Sequence, residues 1–367
     1  MLGVSIVICC FNSRARLGET LGHLARQIVP PGLPWEIIIV DNGSTDGAAA
    51  FAEKAWAYQS AAPLRVVSEP QPGLSQARAR GLREAGYELI SLVDDDNWVC
   101  PDWVRLISEI MTQHPDVGAC GGLSIAASEQ PLPAWFAEFA RSYAVGEIVA
   151  GAGDVTWSKG YLWGAGLTLK KSAWQGLLDQ GFHPQLTDRL GTSLSSGGDT
   201  ELCKALRLAG WKLHYDPRLS LRHFIPPARL EWTYLRKLRR ALGASSVGID
   251  AYDFAVRTEG SRMRRWARES WFYQTGLAVQ NLLACGSLIW DARKRAVAGR
   301  AAALQAEWWL GRWQGLLSGP RGYAQAVRAV RQAPWRVASL SKTSAAVGKN
   351  VPTSALPSAE PQVSTRN

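Results

Sequence analysis

The chain has 367 residues, of which 47% are hydrophobic and 20% charged. It can bury one large core or two modest ones, and its composition excludes a wholly disordered protein. The net charge of +10 is unevenly placed. Residues 1–228 carry 19 Lys and Arg against 23 Asp and Glu, whereas residues 229–342 carry 20 against 7. Chemistry is therefore sought in the first part, and an anionic partner for the second.

The opening run Val4-Ser5-Ile6-Val7-Ile8-Cys9-Cys10 has neither a basic segment before it nor a small-residue cleavage site after it. It reads as a buried strand rather than a signal peptide. The six cysteines form no CxxC pair and no metal-ligand spacing, so they read as reduced thiols of a cytosolic protein. Further short apolar runs predict strands over 36–41, 64–68, 88–94 and 118–125. Amphipathic spacing predicts helices over 16–27, 47–58, 74–84 and 101–113. This alternation, with strands apolar on both faces, predicts an α/β fold with a mostly parallel sheet flanked by helices.

In such sheets ligands lie outside the carboxyl ends of the strands. Three runs end there in polar residues: Asn12-Ser13, Asp41-Asn42 and Asp94-Asp95-Asp96-Asn97. A less regular stretch follows over 126–161. After it come a strand over 165–169, a helix opening near Ser196-Gly197-Gly198-Asp199, and a short pair of strands over 212–215 and 219–223. Pro226-Pro227 coincides with the change of charge, which places a boundary after residue 228. Residues 229–342 read as a basic, Trp-rich helical region, and residues 343–367, rich in Ser, Thr, Pro and Ala, as a disordered tail.

An isolated acidic triplet is first of all a solvated turn. Here it follows Leu89-Ile90-Ser91-Leu92-Val93 at the ligand edge, and alternate carboxylates of an extended chain would share one side. Asp94 and Asp96 then suit a hard divalent cation that substrate phosphates also hold. Asp41 leads into Asn42-Gly43-Ser44-Thr45-Asp46 and could accept a hydrogen bond from a base N–H such as that of uracil, or simply shape the turn. Gly73 opens a helix whose free N–H groups favour a phosphate. Arg78 and Arg80, two residues apart, do not share a face, so at most one meets that phosphate. Asp199 could cap its helix or act as a base. His223 could add a nitrogen ligand to two carboxylates, though a lone histidine is more often structural. Trp163-Gly164-Ala165-Gly166 joins a ring able to stack on a sugar to small residues that leave room for a ligand.

Taken in order, six segments resemble a family-2 inverting glycosyltransferase of the GT-A fold over residues 4–225. They are Val4–Ile8 with Phe11-Asn12, Val40–Asp46, Pro72-Gly73 with Ala77-Arg78, Asp94-Asp95-Asp96, Gly164-Ala165-Gly166, and Gly198-Asp199-Thr200-Glu201-Leu202. The stretch from Ser196 to His223 also resembles bacterial enzymes of surface-polysaccharide assembly.

The resemblance implies a nucleotide diphosphate sugar as donor, a UDP-sugar first of all, and a sugar or lipid-linked acceptor. It makes Asp199 the catalytic base, Asp41 a contact of the nucleotide base, and Asp94 a contact of the ribose or the metal. Asp96 would ligate Mn²⁺ or Mg²⁺ with His223 beside it. Asn12, Gly73, Arg78, Asp95, Trp163 and Gly164 would complete the nucleotide-sugar site. Two positions depart from the family: Gly198 stands where Glu is common, and Arg80 where Asn is common. A sugar-nucleotide nucleotidyltransferase would open with a Gly-rich phosphate loop, and Cys10-Phe11-Asn12-Ser13 stands instead. A catalytically inactive sugar-nucleotide-binding or membrane-scaffolding protein is the alternative from another class.

In the basic region, residues 270–290 carry no charge but include Gln274, Gln280, Asn281 and Ser287 near heptad spacing. That predicts an amphipathic helix rather than a membrane span. Arg262, Arg264, Arg265 and Arg268 precede it, and Arg293, Lys294 and Arg295 follow. The helix is expected to pack on the catalytic domain, to lie in an anionic membrane surface, or to serve as a core helix of a soluble helical subdomain. Nucleic acid is disfavoured, since no zinc, RNP or helix-turn-helix signature accompanies the charge. The expected location is cytoplasmic, with a peripheral place on the inner face of the plasma membrane open to the basic region.

Overall fold

The computed structural model of the chain describes residues 2–59, 61–186, 188–189, 191, 194–256, 262–286 and 301–337. The tail over 343–367, the basic cluster Arg293, Lys294 and Arg295, and residues 287–290 lie outside the described residues. Nine strands form one sheet: β1 (Val4–Cys10), β2 (Trp35–Asp41), β3 (Leu64–Ser68), β4 (Leu89–Leu92), β5 (Asn97–Val99), β6 (Val117–Ala127), β7 (Gly153–Asp154), β8 (Leu167–Lys170) and β9 (Lys212–Phe224). Their order is β3-β2-β1-β4-β8-β6-β9-β5, with β7 on β9. The first four of that order are parallel, as their two-sided apolar runs require. Beyond β4 the sheet is mixed: β8 runs antiparallel to β4 and β6, and β9 parallel to β6.

The register fixes where the polar ends fall. Cys10 pairs with Asp41 and Asp41 with Ser68, while Val7 pairs with Leu92. The segments leaving β1, β2 and β4 therefore emerge at one edge. The sheet is covered by α1 (Arg14–Ala25), α2 (Ala48–Trp56), α3 (Leu74–Glu84), α4 (Trp103–Gln113), α5 (Phe136–Phe139), α6 (Lys171–Asp179) and α7 (Gly198–Leu208). Ile6, Ile8, Ile37 and Ile39 pack with Leu17, Leu21 and Val104 on one face of the sheet. Val7, Ile38 and Val40 pack with Ala77 and Leu82 on the other.

The pair of short strands expected over 212–223 is one strand. Asp216-Pro217-Arg218 has the composition of a turn, yet it bulges out of β9 while pairing with β6 continues. Tyr215 lies opposite Gly121 and Ser220 opposite Leu123. The Asp216 carboxylate accepts hydrogen bonds from the Arg218 backbone N–H and guanidinium, which closes the bulge on itself.

After β9 a single 3-10 turn (Pro227–Leu230) leads into α8 (Trp232–Val256), followed by α9 (Arg262–Arg268), α10 (Trp271–Ala284), α11 (Ala301–Leu316) and α12 (Gly319–Arg331). Tyr252 and Phe254 of α8 lie in the same apolar cluster as Leu169 and Trp174 beside the sheet. Between these helices Arg312 donates to Asp250 at 2.6 Å and to Gln274 at 2.8 Å, and the Tyr323 hydroxyl donates to Asp250 at 2.8 Å. Glu307 takes both Arg236 and Arg240. The polar stripe of α10 is thus turned inward at Gln274. Phe272 and Leu283 of the same helix are 72% and 76% exposed.

α8 and α11 cross backbone to backbone. A Cβ on Gly311 would lie 1.8 Å from the Arg240 carbonyl oxygen, so G311A must push the two helices apart. It is expected to cost about 1–3 kcal/mol or more, read as a clear fall in Tm by calorimetry. Gly322, with open space around its Cα, is the control: G322A on α12 should leave Tm unchanged or raise it slightly through helix propensity, by up to about 1 kcal/mol.

Candidate functional site

At the carboxyl edge of the parallel strands lies a cavity of about 470 Å³. Its wall includes Cys9 and Cys10 from β1, Gly73 and Arg78 from the start of α3, and Asp94, Asp95 and Asp96 after β4. Gly164, Asp188, Asp199, His223 and Arg229 close it from the other side. Of the site residues expected from sequence, Gly73, Arg78, Asp94, Asp95, Asp96, Gly164, Asp199 and His223 share this wall.

The acidic triplet does not act as an extended strand. β4 ends at Leu92, and Asn97 N–H donates to the Asp94 carbonyl at 3.0 Å, closing a tight turn. The turn sends the three carboxylates to different partners. Asp94 faces Arg78 at 3.7 Å. Asp95 pairs with Arg16 of α1 at 2.9 Å, while burial, with Asp96 beside it, pushes its carboxyl up to about 6. Asp96, 4% exposed, accepts from Arg229 at 3.2 Å through Oδ2 and from Asn97 at 3.1 Å through Oδ1. Oδ1 also lies 3.6 Å from His223 Nε2. β5 and β9 place His223 there, since Asn97 pairs directly with it across the ladder.

Asp199 sits in the first turn of α7 without serving as the N-cap, a position that Gly197 takes. Its Oδ2 accepts from Gly164 N–H at 2.7 Å and its Oδ1 from Thr200 N–H at 2.8 Å. Burial holds its carboxyl above the ordinary value; the charge of Asp188 adds to this, while Arg78 and the two N–H donors oppose it. A Cβ on Gly164 would come within 3.0 Å of the Asp199 carboxylate and 3.2 Å of Arg78 Nη2. A side chain at this position would press both charged groups back by a few tenths of an ångström.

Three expected residues stand outside the wall. Asn12 accepts from Thr45 N–H at 2.8 Å and donates its own N–H to Ser44 at 3.1 Å, fastening the loop after β1 to the loop after β2. Asp41 accepts from Ser44 N–H at 3.2 Å and so shapes that same turn. Trp163 is a core side chain with the Arg141 guanidinium over its ring, and is not presented for stacking on a sugar. Gly73 lines the cavity, and two N–H groups at its helix start are engaged within the chain. Gly73 N–H donates to Asn42 Oδ1 at 2.8 Å, and Leu74 N–H to the Arg189 carbonyl at 3.1 Å. Arg80 pairs along the helix with Glu84, whereas Arg78 lines the cavity.

Sequence reasoning missed Asp188, Arg229 and the α8 side chains Tyr234, Leu238 and Leu242, all of which line the cavity. Asp188 lies in a loop without periodicity, and nothing in its neighbours marks it. Arg229 falls just beyond Pro226-Pro227, where it was counted with the basic region.

Among the described residues no three His, Cys, Asp or Glu side chains converge as a metal cage. The pair Asp96 and His223 nevertheless fits a divalent cation. A carboxylate oxygen and an imidazole nitrogen face each other at 3.6 Å, the spacing of two ligands each about 2 Å from one ion. Such a pair leaves further positions for phosphate oxygens.

Residues 5–146 match the family model described as Glycosyl transferase family 2. The succinoglycan biosynthesis protein ExoM of Rhizobium meliloti (strain 1021) is 27% identical over 248 residues, which is 65% of this chain and 72% of that protein. The hyaluronan synthase of Pasteurella multocida is 31% identical over 122 residues, 33% of this chain and 12% of that one. The chain spans 12% to 33% of the length of the first curated relatives it matches. A mannosyltransferase of Pyrobaculum calidifontis, solved with GDP-Man and Mn²⁺, superposes with a TM-score of 0.51 at 18% identity, over 94% of this chain and 86% of that one. The shared architecture is the GT-A fold expected from the sequence, with the helical region following it. Residues 5–146 of this chain are thus similar to glycosyl transferase family 2.

Proposed function

We propose that this chain is an inverting glycosyltransferase. It would take a sugar from a nucleotide diphosphate sugar, UDP-sugars first, and attach it to an acceptor hydroxyl in polysaccharide or glycoconjugate assembly. The observation that carries this reading is Asp199, a buried carboxylate fixed by two backbone N–H donors in the wall of the cavity that also holds Arg78, Asp94 and Asp96. Asp199 takes the proton of the acceptor hydroxyl, which attacks the anomeric carbon from the face opposite the diphosphate and inverts the configuration. Arg78 offers fixed positive charge to the diphosphate, and Asp94 accepts from ribose hydroxyls. Asn12 and Asp41 hold the turn on which the nucleotide base would lie, and Trp163 acts from the core by fixing Gly164.

Asp96 and His223 would hold Mn²⁺ or Mg²⁺, and Asp95 fixes Asp96's turn by its bond to Arg16. A cation there would offset the charge of the departing diphosphate. The Mn²⁺ solved with the Pyrobaculum mannosyltransferase supports a divalent ion. Ile225, Tyr234, Leu238 and Leu242 make one side of the cavity apolar, which suits a sugar acceptor carrying a lipid.

The basic region suits the surface of an anionic membrane on its cytoplasmic side. Met263, Trp266, Phe272 and Leu283 of α9 and α10 are exposed, and α9 carries four Arg in seven residues. No described helix is long and apolar enough to cross a membrane, so the contact would be peripheral.

D199N is expected to lower turnover by about 10²-fold or more, with donor binding retained by calorimetry. Normal turnover in that variant would remove Asp199 from the mechanism. Because burial raises its carboxyl, the acid limb of kcat/KM should lie above the ordinary aspartate value, with activity falling as pH drops through it. Thermal stabilisation by UDP should require Mn²⁺ or Mg²⁺ and vanish in D96A. The full chain should sediment with phosphatidylglycerol vesicles at low salt, less at high salt and less again as F272S/L283S. Absence of sedimentation at low salt would end the membrane reading.

A further inference from the structure

Asp188 belongs to no strand or helix, yet three hydrogen bonds fix it. Its backbone N–H donates to Ser75 Oγ at 3.0 Å. Its Oδ1 accepts from Gly198 N–H at 3.0 Å, at the start of α7. Its Oδ2 accepts from Arg78 Nη1 at 2.7 Å. A Cβ on Gly198 would meet Asp188 Oδ2 at 2.6 Å and its Cγ at 3.0 Å. The carboxylate therefore occupies the space into which a side chain at position 198 would grow, one residue before Asp199.

The loop that brings Asp188 there is itself tied down. Glu201 of α7 accepts from the N–H groups of Gln185 and Leu186 and from the Tyr252 hydroxyl of α8, at 2.6–3.1 Å. Arg78 is thereby held by Asp188, with Asp94 at 3.7 Å on its other side. Asp199 keeps its two backbone donors in place of a direct ion pair with that guanidinium.

We propose that Asp188 is a positioning residue for the base: it sets a carboxylate in the space beside Gly198 and keeps Arg78 off Asp199. Gly198 and the carboxylate of Asp188 are then two halves of one arrangement, in which glycine makes the room that the aspartate fills. The inference rests on Asp199 being the base of the proposed transferase, but its structural claim can be tested without turnover.

The test follows the Asp199 carboxyl by ¹³C NMR in the full chain carrying ¹³Cγ-labelled aspartate, with the resonance assigned by its loss in D199N. In D188N the neighbouring negative charge is gone and Arg78 is free to turn towards Asp199. Both changes favour the ionised carboxyl, so its titration should move to lower pH by roughly one unit or more. The double variant D188G/G198E, which places a carboxylate on position 198 itself, should move it back towards the wild-type pH. Calorimetry on each variant confirms a cooperative unfolding transition before the titration is read. An Asp199 titration unchanged in folded D188N overturns the proposal, and so does a shift that D188G/G198E fails to reverse. Normal turnover in D199N would instead sink the assignment of the base, whatever the titration shows.

Discussion

The ion pair between Arg78 and Asp188 spans 110 residues of sequence at 2.7 Å, with the two side chains 14% and 7% exposed. Burying two charges is costly unless geometry and further hydrogen bonds compensate, and removing one partner of such a pair costs about 3–5 kcal/mol. Here the compensation is distributed. Gly198 N–H satisfies the second carboxylate oxygen, and Asp94 stands on the other side of the guanidinium. Through this pair the first turn of α7 is registered against the first turns of α3. The two parts of the cavity wall that hold Arg78 and Asp199 are therefore placed relative to each other by electrostatics rather than by strand pairing.

The opposite wall depends on the helices after the sheet. Tyr252 of α8 reaches Glu201 of α7, and Tyr234, Leu238 and Leu242 face the cavity. α8 is in turn braced against α11 by the approach at Gly311 and by the buried group of Asp250, Arg312, Gln274 and Tyr323. Every polar member of that group has a partner, the condition under which a buried network stabilises one arrangement rather than several. The helical region is thus part of the site's construction, and its charge is only partly available to a partner. Arg229, Arg236, Arg240 and Arg312 are engaged by acidic groups within the chain.

The carboxylates of the cavity illustrate how one short motif divides its labour. In an extended chain Asp94 and Asp96 would share a side and Asp95 would oppose them. The tight turn after β4 reaches a similar division by another route. Asp95 is drawn to Arg16 of α1, Asp96 to Arg229 and His223, and Asp94 is left the more open of the three. The three carboxylates are divided as the alternation predicts, although a turn rather than an extended strand divides them.

The sequence by itself determined the centre of the parallel half of the sheet, because strands buried on both faces must be largely apolar and the runs at 4–10 and 37–40 are. It also placed Asp41-Asn42 and Asp94-Asp95-Asp96 at one edge, since carboxyl ends of parallel strands emerge together, whereas Arg78, Gly164 and Asp199 were joined to them by the resemblance. Only the tertiary structure decided what depends on contacts between distant segments. Asp188 carries no local pattern, and its role exists only because Gly198 leaves space and Arg78 supplies charge. Trp163 has the residue type of a ligand contact, but core packing claims it. Gln274 reads as the outward stripe of an amphipathic helix until Arg312, 38 residues away, gives it a buried partner. Periodicity reports which face a segment can bury; it does not report which distant side chain will meet it there.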